Sequence, residues 1–281
     1  MALDIEIARF IEADIPFGKM LTDGEGWHRS LADWKRLLAL SPYGMLKARV
    51  GGKDVGVAGL LWYDKVAWLH SVLVVKEARG QGIGRAMLKT CVQRARDLKV
   101  PCVKLDSVRG FEGFYKTFGF VEEFESRRFL RDGERFPIVA ERVKPELLDR
   151  IVYFDQATTG LNRSRAIRAV YEDAPELAFC IRNETTLLGY LLARRGEERI
   201  QIGPCVVVEQ DPSCANRLMT SLIGSEPSAK FRMCVSGANA AAVKLATELG
   251  FESATPSTRM FSGMKFEESN ACFAMISAEK G

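Results

Sequence analysis

The second half of this 281-residue chain repeats the plan of the first, and that duplication constrains the fold more than any single motif. "TLLGYLLARR" (Thr186–Arg195) resembles "VGVAGLLWY", and "IGPCVVVEQ" resembles "LHSVLVVKE". "FRMCVS" resembles "PCVKLDS", and "VKLATELGFESA" resembles "GFYKTFGFVEEF". Val75 falls on Val206 and Gly119 on Gly250, each 131 residues on, while Gly56 falls on Gly189 after 133. A near-constant offset over four elements implies a doubled domain, not a short-period solenoid. The break belongs near "RVKPELLDR", around Pro145, where a closing strand gives way to polar residues and a proline. The expectation is two domains, 1–144 and 145–281, which this length accommodates.

Within the first copy, α and β signals alternate. "LDIEIARF" alternates as a strand does, and "SLADWKRLLAL" (Ser30–Leu40) sets a serine cap before helical periodicity. Tyr43 to Val75 reads as three consecutive strands turned at Gly51–Gly52 and Tyr63–Asp64, an antiparallel meander. From Gly82 to Leu98, Ile83, Met87, Leu88, Cys91, Val92 and Ala95 mark one helical face. "VPCVKLDSV" is a strand, "GFEGFYKTF" a short helix and "GFVEEFESRRFL" a closing strand. The class is α/β, with two lobes each built on a mixed, mostly antiparallel sheet flanked by helices.

Composition removes several functions. No apolar run reaches the roughly 18 residues of a membrane span. "MALDIEIARF" has acids where a secretory signal has a basic region, so the expected location is the cytoplasm, with no membrane partner. Seven scattered cysteines without a C-x-x-C pair read as buried thiols, and only two histidines argue against a metal centre. The basic runs Arg127–Arg135 and Arg163–Arg168 lack interleaved aromatics, so no nucleic-acid partner is inferred.

The stretch that carries chemistry is "VKEARGQGIGRAML" (Val75–Leu88). A dinucleotide fingerprint needs G-x-G-x-x-G after the first strand of a parallel sheet, whereas this G-x-G-x-G follows a meander. A phosphate loop of the Walker kind needs G-K-[ST], and Gly84-Arg85-Ala86 does not supply it. A plain turn needs one glycine, not three. What remains is a loop that leaves backbone N–H groups unobstructed at a helix N-terminus, suited to pyrophosphate, with Arg79 and Arg85 adding positive charge.

"LVVKEARGQGIGRAML" resembles the acyl-CoA loop of the GCN5-related N-acetyltransferases, [QR]-x-x-G-x-[GA], met here by Arg79, Gly82 and Gly84. The strand order and "FYKTFGF" in the last helix-to-strand corner are similar too, over roughly Ile5 to Leu130. The whole chain resembles tandem-lobed acetyltransferases of the YitH-like group, in which a degenerate lobe follows an acetyltransferase lobe. The resemblance implies acetyl-CoA as acyl donor, its pantetheine arm in a V-shaped opening beside "AWLHSVLVV". Leu73 and Val75 would pair with that arm, as in strand addition. The donor set is Leu73, Val74, Val75, Arg79, Gly80, Gln81, Gly82, Ile83, Gly84 and Arg85. An amide near Leu73 would polarise the thioester carbonyl.

The same resemblance points to Tyr115 as general acid toward the CoA sulfur, with packing against CoA as the alternative. Val66–Val75 contains no Asp or Glu, which leaves His70 as the candidate base or, equally, a satisfied buried histidine. Trp27 and His28 in "LTDGEGWHRS" are candidates for an amine pocket, or Trp27 for a packing anchor. In the second copy "VVVEQDPSCANRLM" replaces the loop, with Glu209 and Asp211 where a polyphosphate needs positive charge, and Ala246 replaces Tyr115. The expected activity is N-acetyl transfer to a primary amine of a small molecule, by direct attack in a ternary complex. The chain would act as a monomer or homodimer. The alternative is an acyl-CoA-binding regulatory or scaffold protein without turnover.

Overall fold

A computed structural model describes residues 3–27, 29–208, 211–278 and 281. The chain divides into two compact units, Met1–Leu105 and Asp106–Gly281. The first contains β1 (Glu6–Arg9), α1 (Ile15–Gly24), α2 (Leu31–Leu40), β2 (Met45–Val50), β3 (Lys53–Trp62), β4 (Val66–Val74) and α3 (Ile83–Asp97). It also contains most of β5 (Cys102–Ser107). Helix α1 extends through Leu21–Gly24, the start of the "LTDGEGWHRS" stretch. Its Pro16 occupies the first turn, where a missing N–H costs nothing.

Strands β1 to β4 form an antiparallel run through Ile7↔Ala48, Lys47↔Val57 and Leu60↔Leu69, with turns at the expected glycines and at Tyr63–Asp64. Strand β5 then joins β4 in parallel. Ser30 caps α2, its Oγ accepting the Asp33 N–H at 3.0 Å while the Asp33 carboxylate accepts the Ser30 N–H at 3.3 Å, a capping box that explains why the helix starts there. Trp34, fully buried on α2, stacks on Phe10 at 5.5 Å. Ile83, Met87, Leu88, Cys91 and Ala95 are the buried face of α3, as the periodicity predicts. Met87 reaches so close to the sheet that a side chain at Gly56 would meet its Cε at 2.9 Å.

The second unit opens with α4 (Glu112–Lys116), β6 (Val121–Asp132) and β7 (Glu141–Arg142), followed by α5 (Leu148–Thr159) and α6 (Ser164–Asp173). Strands β8 (Phe179–Arg182), β9 (Leu187–Arg195) and β10 (Ile200–Val207) lead to α7 (Pro212–Ser225) and β11 (Lys230–Ser236). Helix α8 (Ala240–Glu248), β12 (Glu252–Gly263) and β13 (Cys272–Ala274) complete it. The repeat is visible in atomic detail: Gly189 lies under α7 as Gly56 lies under α3, with Cys214 Sγ 3.0 Å from where its Cβ would stand.

The strand closing the first copy does not stay with the first unit. β6 runs between two strands of the second copy, pairing with β11 from Lys230↔Asp132 to Ser236↔Ser126 and with β12 from Glu252↔Leu130 to Phe261↔Val121. Its Phe129 enters the core cluster that holds Ile202, Phe231 and Met233. The proline-marked break at residue 145 and the division of contacts after Leu105 therefore fall at different places.

Arg259 on β12 is fully buried, its Nη2 donating to Asp106 at 2.8 Å and its Nη1 to Glu268 at 2.7 Å. Six of the cysteines are buried, and burial pushes the Cys91 thiol up to about 12, so it stays protonated and inert at neutral pH. Among the described residues, no helix is long and apolar enough to cross a membrane.

Candidate functional site

Strands β4 and β5 pair only at Val66↔Cys102, Ala67↔Val103 and Trp68↔Lys104. Beyond Trp68 the register of β4 on β3 slips, with Gly59 opposite His70 and Val57 opposite Leu73. Two residues, Ser71 and Val72, thus stand against Ala58, which is a β-bulge. Ser71 has φ 55°, and among the described residues it shares a positive φ with one other non-glycine residue, Lys99. The bulge bends β4, and past it β4 has one edge without β5.

Alternation decides which peptide groups face that edge. Val75 donates its N–H to Val55 O at 2.9 Å, toward β3. Val74 must then turn its peptide groups the other way, and its carbonyl accepts Arg79 Nε at 3.0 Å. The open-edge donor is therefore Val74, not Leu73 and Val75 as the resemblance implied. Leu73 is buried with Phe10, Trp34 and Val57.

Past β4, Gly80 and Gly82 adopt φ 78° and 84°, a left-handed backbone that other residues resist. Nothing lies within 4 Å of where a Cβ would stand at either, so the glycines serve conformation and approach, not packing. Gly82 is the N-cap of α3, and no side chain caps it. The first intrahelical bond is Ala86 N–H to Gly82 O, which leaves the N–H groups of Ile83, Gly84 and Arg85 at the helix start. In the second unit Asp211 caps α7, its carboxylate accepting the Ser213 N–H at 2.8 Å. One helix start is bare and its repeat carries its own anion.

The second unit also fills its own opening. β10 and β11 pair in parallel from Ile200↔Phe231 to Ile202↔Met233 and then separate. β13 enters the gap, pairing with β10 at Cys205↔Ala274, while Met275 donates its N–H to Cys234 O of β11 at 2.9 Å. The chain itself thus occupies the place that β4 leaves open in the first unit.

His70 is buried, its ring lying on Gly59, where a Cβ would stand 2.1 Å from Cε1. Its Nδ1 is 2.9 Å from Ser71 Oγ. Trp27 is half-buried against the Phe10–Trp34 cluster. His28 lies outside the described residues. Arg79 pairs with Glu25, so its charge fastens the loop to the end of α1 and is not held in reserve. Gln81 donates to Glu77 O at 3.3 Å, and Arg85 is exposed in the first turn of α3.

Tyr115 belongs to the second unit, half-buried on α4, edge-on to Phe114 at 5.1 Å and to Phe120 at 6.1 Å. Burial pushes its hydroxyl up to about 12. Glu25, Arg29 and Ser71 escaped the sequence reading. The one available signal was the dipeptide Arg29–Ser30, which recurs as Arg163–Ser164.

The pattern described as "Acetyltransferase (GNAT) family" matches residues 11–120, and "Acetyltransferase (GNAT) domain" matches residues 151–273. Among solved structures, a putative acetyltransferase from Pyrococcus horikoshii superposes with a TM-score of 0.80 at 23% identity, covering 99% of this chain and 96% of that one. A GCN5-related N-acetyltransferase from Sphaerobacter thermophilus gives 0.71 at 13% identity, covering 95% and 98%. A tandem GNAT protein from the clavulanic acid biosynthesis pathway gives 0.65 at 16%, covering 94% and 100%. At these identities the superpositions speak to fold. No curated protein matches the sequence significantly. A splayed β4, a glycine-led helix start and two matched domains in succession make this chain a tandem member of the GCN5-related N-acetyltransferase superfamily, whose fold supports acyl transfer.

Proposed function

We infer that the first unit binds acetyl-CoA and that the protein transfers the acetyl group to the primary amine of a small molecule, by direct attack in a ternary complex. One observation carries this reading: the uncapped, glycine-led start of α3 follows directly on the open edge of β4. Amide donors at a helix N-terminus favour pyrophosphate. An unpaired strand edge favours an extended, amide-bearing arm. Acetyl-CoA carries both groups and supplies an activated thioester.

Val74 would donate to the pantetheine arm, and Gly82–Arg85 would receive the pyrophosphate. Tyr115 is the candidate acid. An alkyl thiol titrates near about 8.5, so a hydroxyl at about 12 yields its proton to a thiolate only uphill. Its role is to hold a hydrogen bond on the departing sulfur, while the ammonium formed on the amine carries the surplus proton. His70 is the candidate base, with a satisfied buried histidine as the alternative. The cytoplasm suits a chain whose cysteines are free thiols, six of them buried.

Calorimetry with acetyl-CoA, followed by CoA release with a panel of amines, tests the reading. The expected result is one acetyl-CoA per chain, because β13 and Asp211 occupy the corresponding places in the second unit. Two equivalent sites would refute the assignment. Tight binding with no turnover on any amine would favour the non-catalytic, acyl-CoA-binding alternative.

Tyr115→Phe removes a hydrogen bond to a charged sulfur, so it should lower kcat by about 10- to 100-fold and leave the acetyl-CoA Kd near the parent value. Because the proton is lost only near pH 12, no fall in kcat from this group should appear below about pH 11. A fall in kcat near pH 9 that vanishes in Tyr115→Phe would contradict this role.

A further inference from the structure

We propose that Arg29 and Ser71 are positioning residues that hold the β4 bulge, and with it the His70 ring, in the geometry that acyl transfer needs. The proposal rests on the acetyltransferase reading of the first unit. Arg29 is buried in the segment between α1 and α2, and its Nη1 donates to Ser71 Oγ at 2.7 Å. Its guanidinium also lies 5.0 Å from the Trp34 ring centroid, which fixes it from the core side. Ser71 Oγ in turn stands 2.9 Å from His70 Nδ1. A hydroxyl that accepts from Arg29 still has one proton and one lone pair with which to engage an imidazole nitrogen. The three side chains form one polar chain on the bulge where β4 leaves β5.

Ser71 holds a left-handed backbone, which costs a residue with a Cβ and ordinarily selects glycine. A serine here is explained by its hydroxyl. The internal repeat provides the comparison. Arg163 occupies the place of Arg29 at the start of α6, but it holds the Asp155 carboxylate, Nη2 to Oδ1 at 2.6 Å and Nε to Oδ2 at 3.0 Å. The bulge of β10 lies between Ile202 and Cys205 and contains Gly203, at φ 130°. The unit that fills its own opening thus has a glycine at the bulge and an arginine matched to a carboxylate. The unit with the open edge has a serine at the bulge and the arginine bonded to it.

Three variants test this: Ser71→Gly, which relieves the backbone and removes the hydroxyl; Arg29→Lys; and Ser71→Asn, which tolerates the left-handed region and retains an acceptor. Three readouts are taken: kcat and KM on an amine that the parent acetylates, the acetyl-CoA Kd, and hydrogen exchange of amides 69–75 without donor. Ser71→Gly and Arg29→Lys should each lower kcat by at least about tenfold and leave the acetyl-CoA Kd within about threefold. Both should accelerate exchange across 69–75, with Ser71→Gly no less stable to heat than the parent. Ser71→Asn should stay within about threefold of the parent in kcat, and the double variant Ser71→Gly/Arg29→Lys should be no worse than the worse single.

Parental kcat and exchange in Ser71→Gly would overturn the proposal, as would losses that multiply in the double variant. If the parent binds acetyl-CoA but acetylates no amine, the enzymatic reading fails separately. Exchange then decides alone: accelerated exchange in both single variants supports the positioning role, and unchanged exchange overturns it.

Discussion

A Gly82→Glu chain will bind acetyl-CoA at least about 100-fold more weakly than the parent, a loss of about 2.7 kcal/mol or more. Two effects act together. Gly82 holds φ 84°, and a residue with a Cβ at a left-handed position costs about 1–2 kcal/mol. The new carboxylate would stand at the N-terminus of α3, where it competes for the amides that the pyrophosphate would use. The second unit already shows this competition in Asp211, whose carboxylate caps α7. No atom lies within 4 Å of the position of a Cβ at Gly82, so the variant should fold, with a modest fall in Tm. Gly82→Asn separates the two effects. Asparagine tolerates the left-handed region and brings no charge, so it should lose much less affinity than glutamate. Calorimetric titration of parent and both variants reads the result. A glutamate variant that binds acetyl-CoA like the parent would mean that the loop is not the donor site.

A fragment of residues 145–281 will fail to fold cooperatively, whereas one of residues 106–281 will unfold in a single transition. The first cut follows the sequence repeat and removes β6 from between β11 and β12. Two strand edges then lose their partner at once, which exposes unpaired backbone and invites aggregation. Phe129 leaves the core, and Arg259 loses both Asp106 and its contact with Ser126 Oγ at 3.3 Å. Removing one partner of a buried ion pair costs about 3–5 kcal/mol, a large share of the stability of an ordinary domain. Thermal unfolding followed by circular dichroism, with sedimentation for aggregation, distinguishes the fragments. A soluble 145–281 fragment with a sharp transition would show that β6 is dispensable to the second unit.

How far the chain was legible varied with the range of the interactions. The face of α3, the start of α2 at Ser30 and the meander turns were readable because periodicity, capping and turn chemistry act within a few residues. The donor loop was readable because left-handed glycines at a helix start leave a mark in composition. Helix α1 was not predicted, because Ile15–Gly24 carries a proline and two glycines that read as loop. Arg79 was read as a free charge for phosphate, yet its partner Glu25 lies 54 positions away and no local pattern pairs them. Ser71 was passed over because a serine in a strand is unremarkable until its φ is known.

Local patterns were enough to establish two copies of one fold, of which the first retains a glycine loop. Both conclusions rest on local patterns, which a duplicated chain displays twice. Tertiary structure alone decided where β6 lies, which edge Val74 faces, and that β13 closes the opening of the second unit. Strand partners are chosen by register and burial across long separations. The order of strands is therefore settled only when they pack.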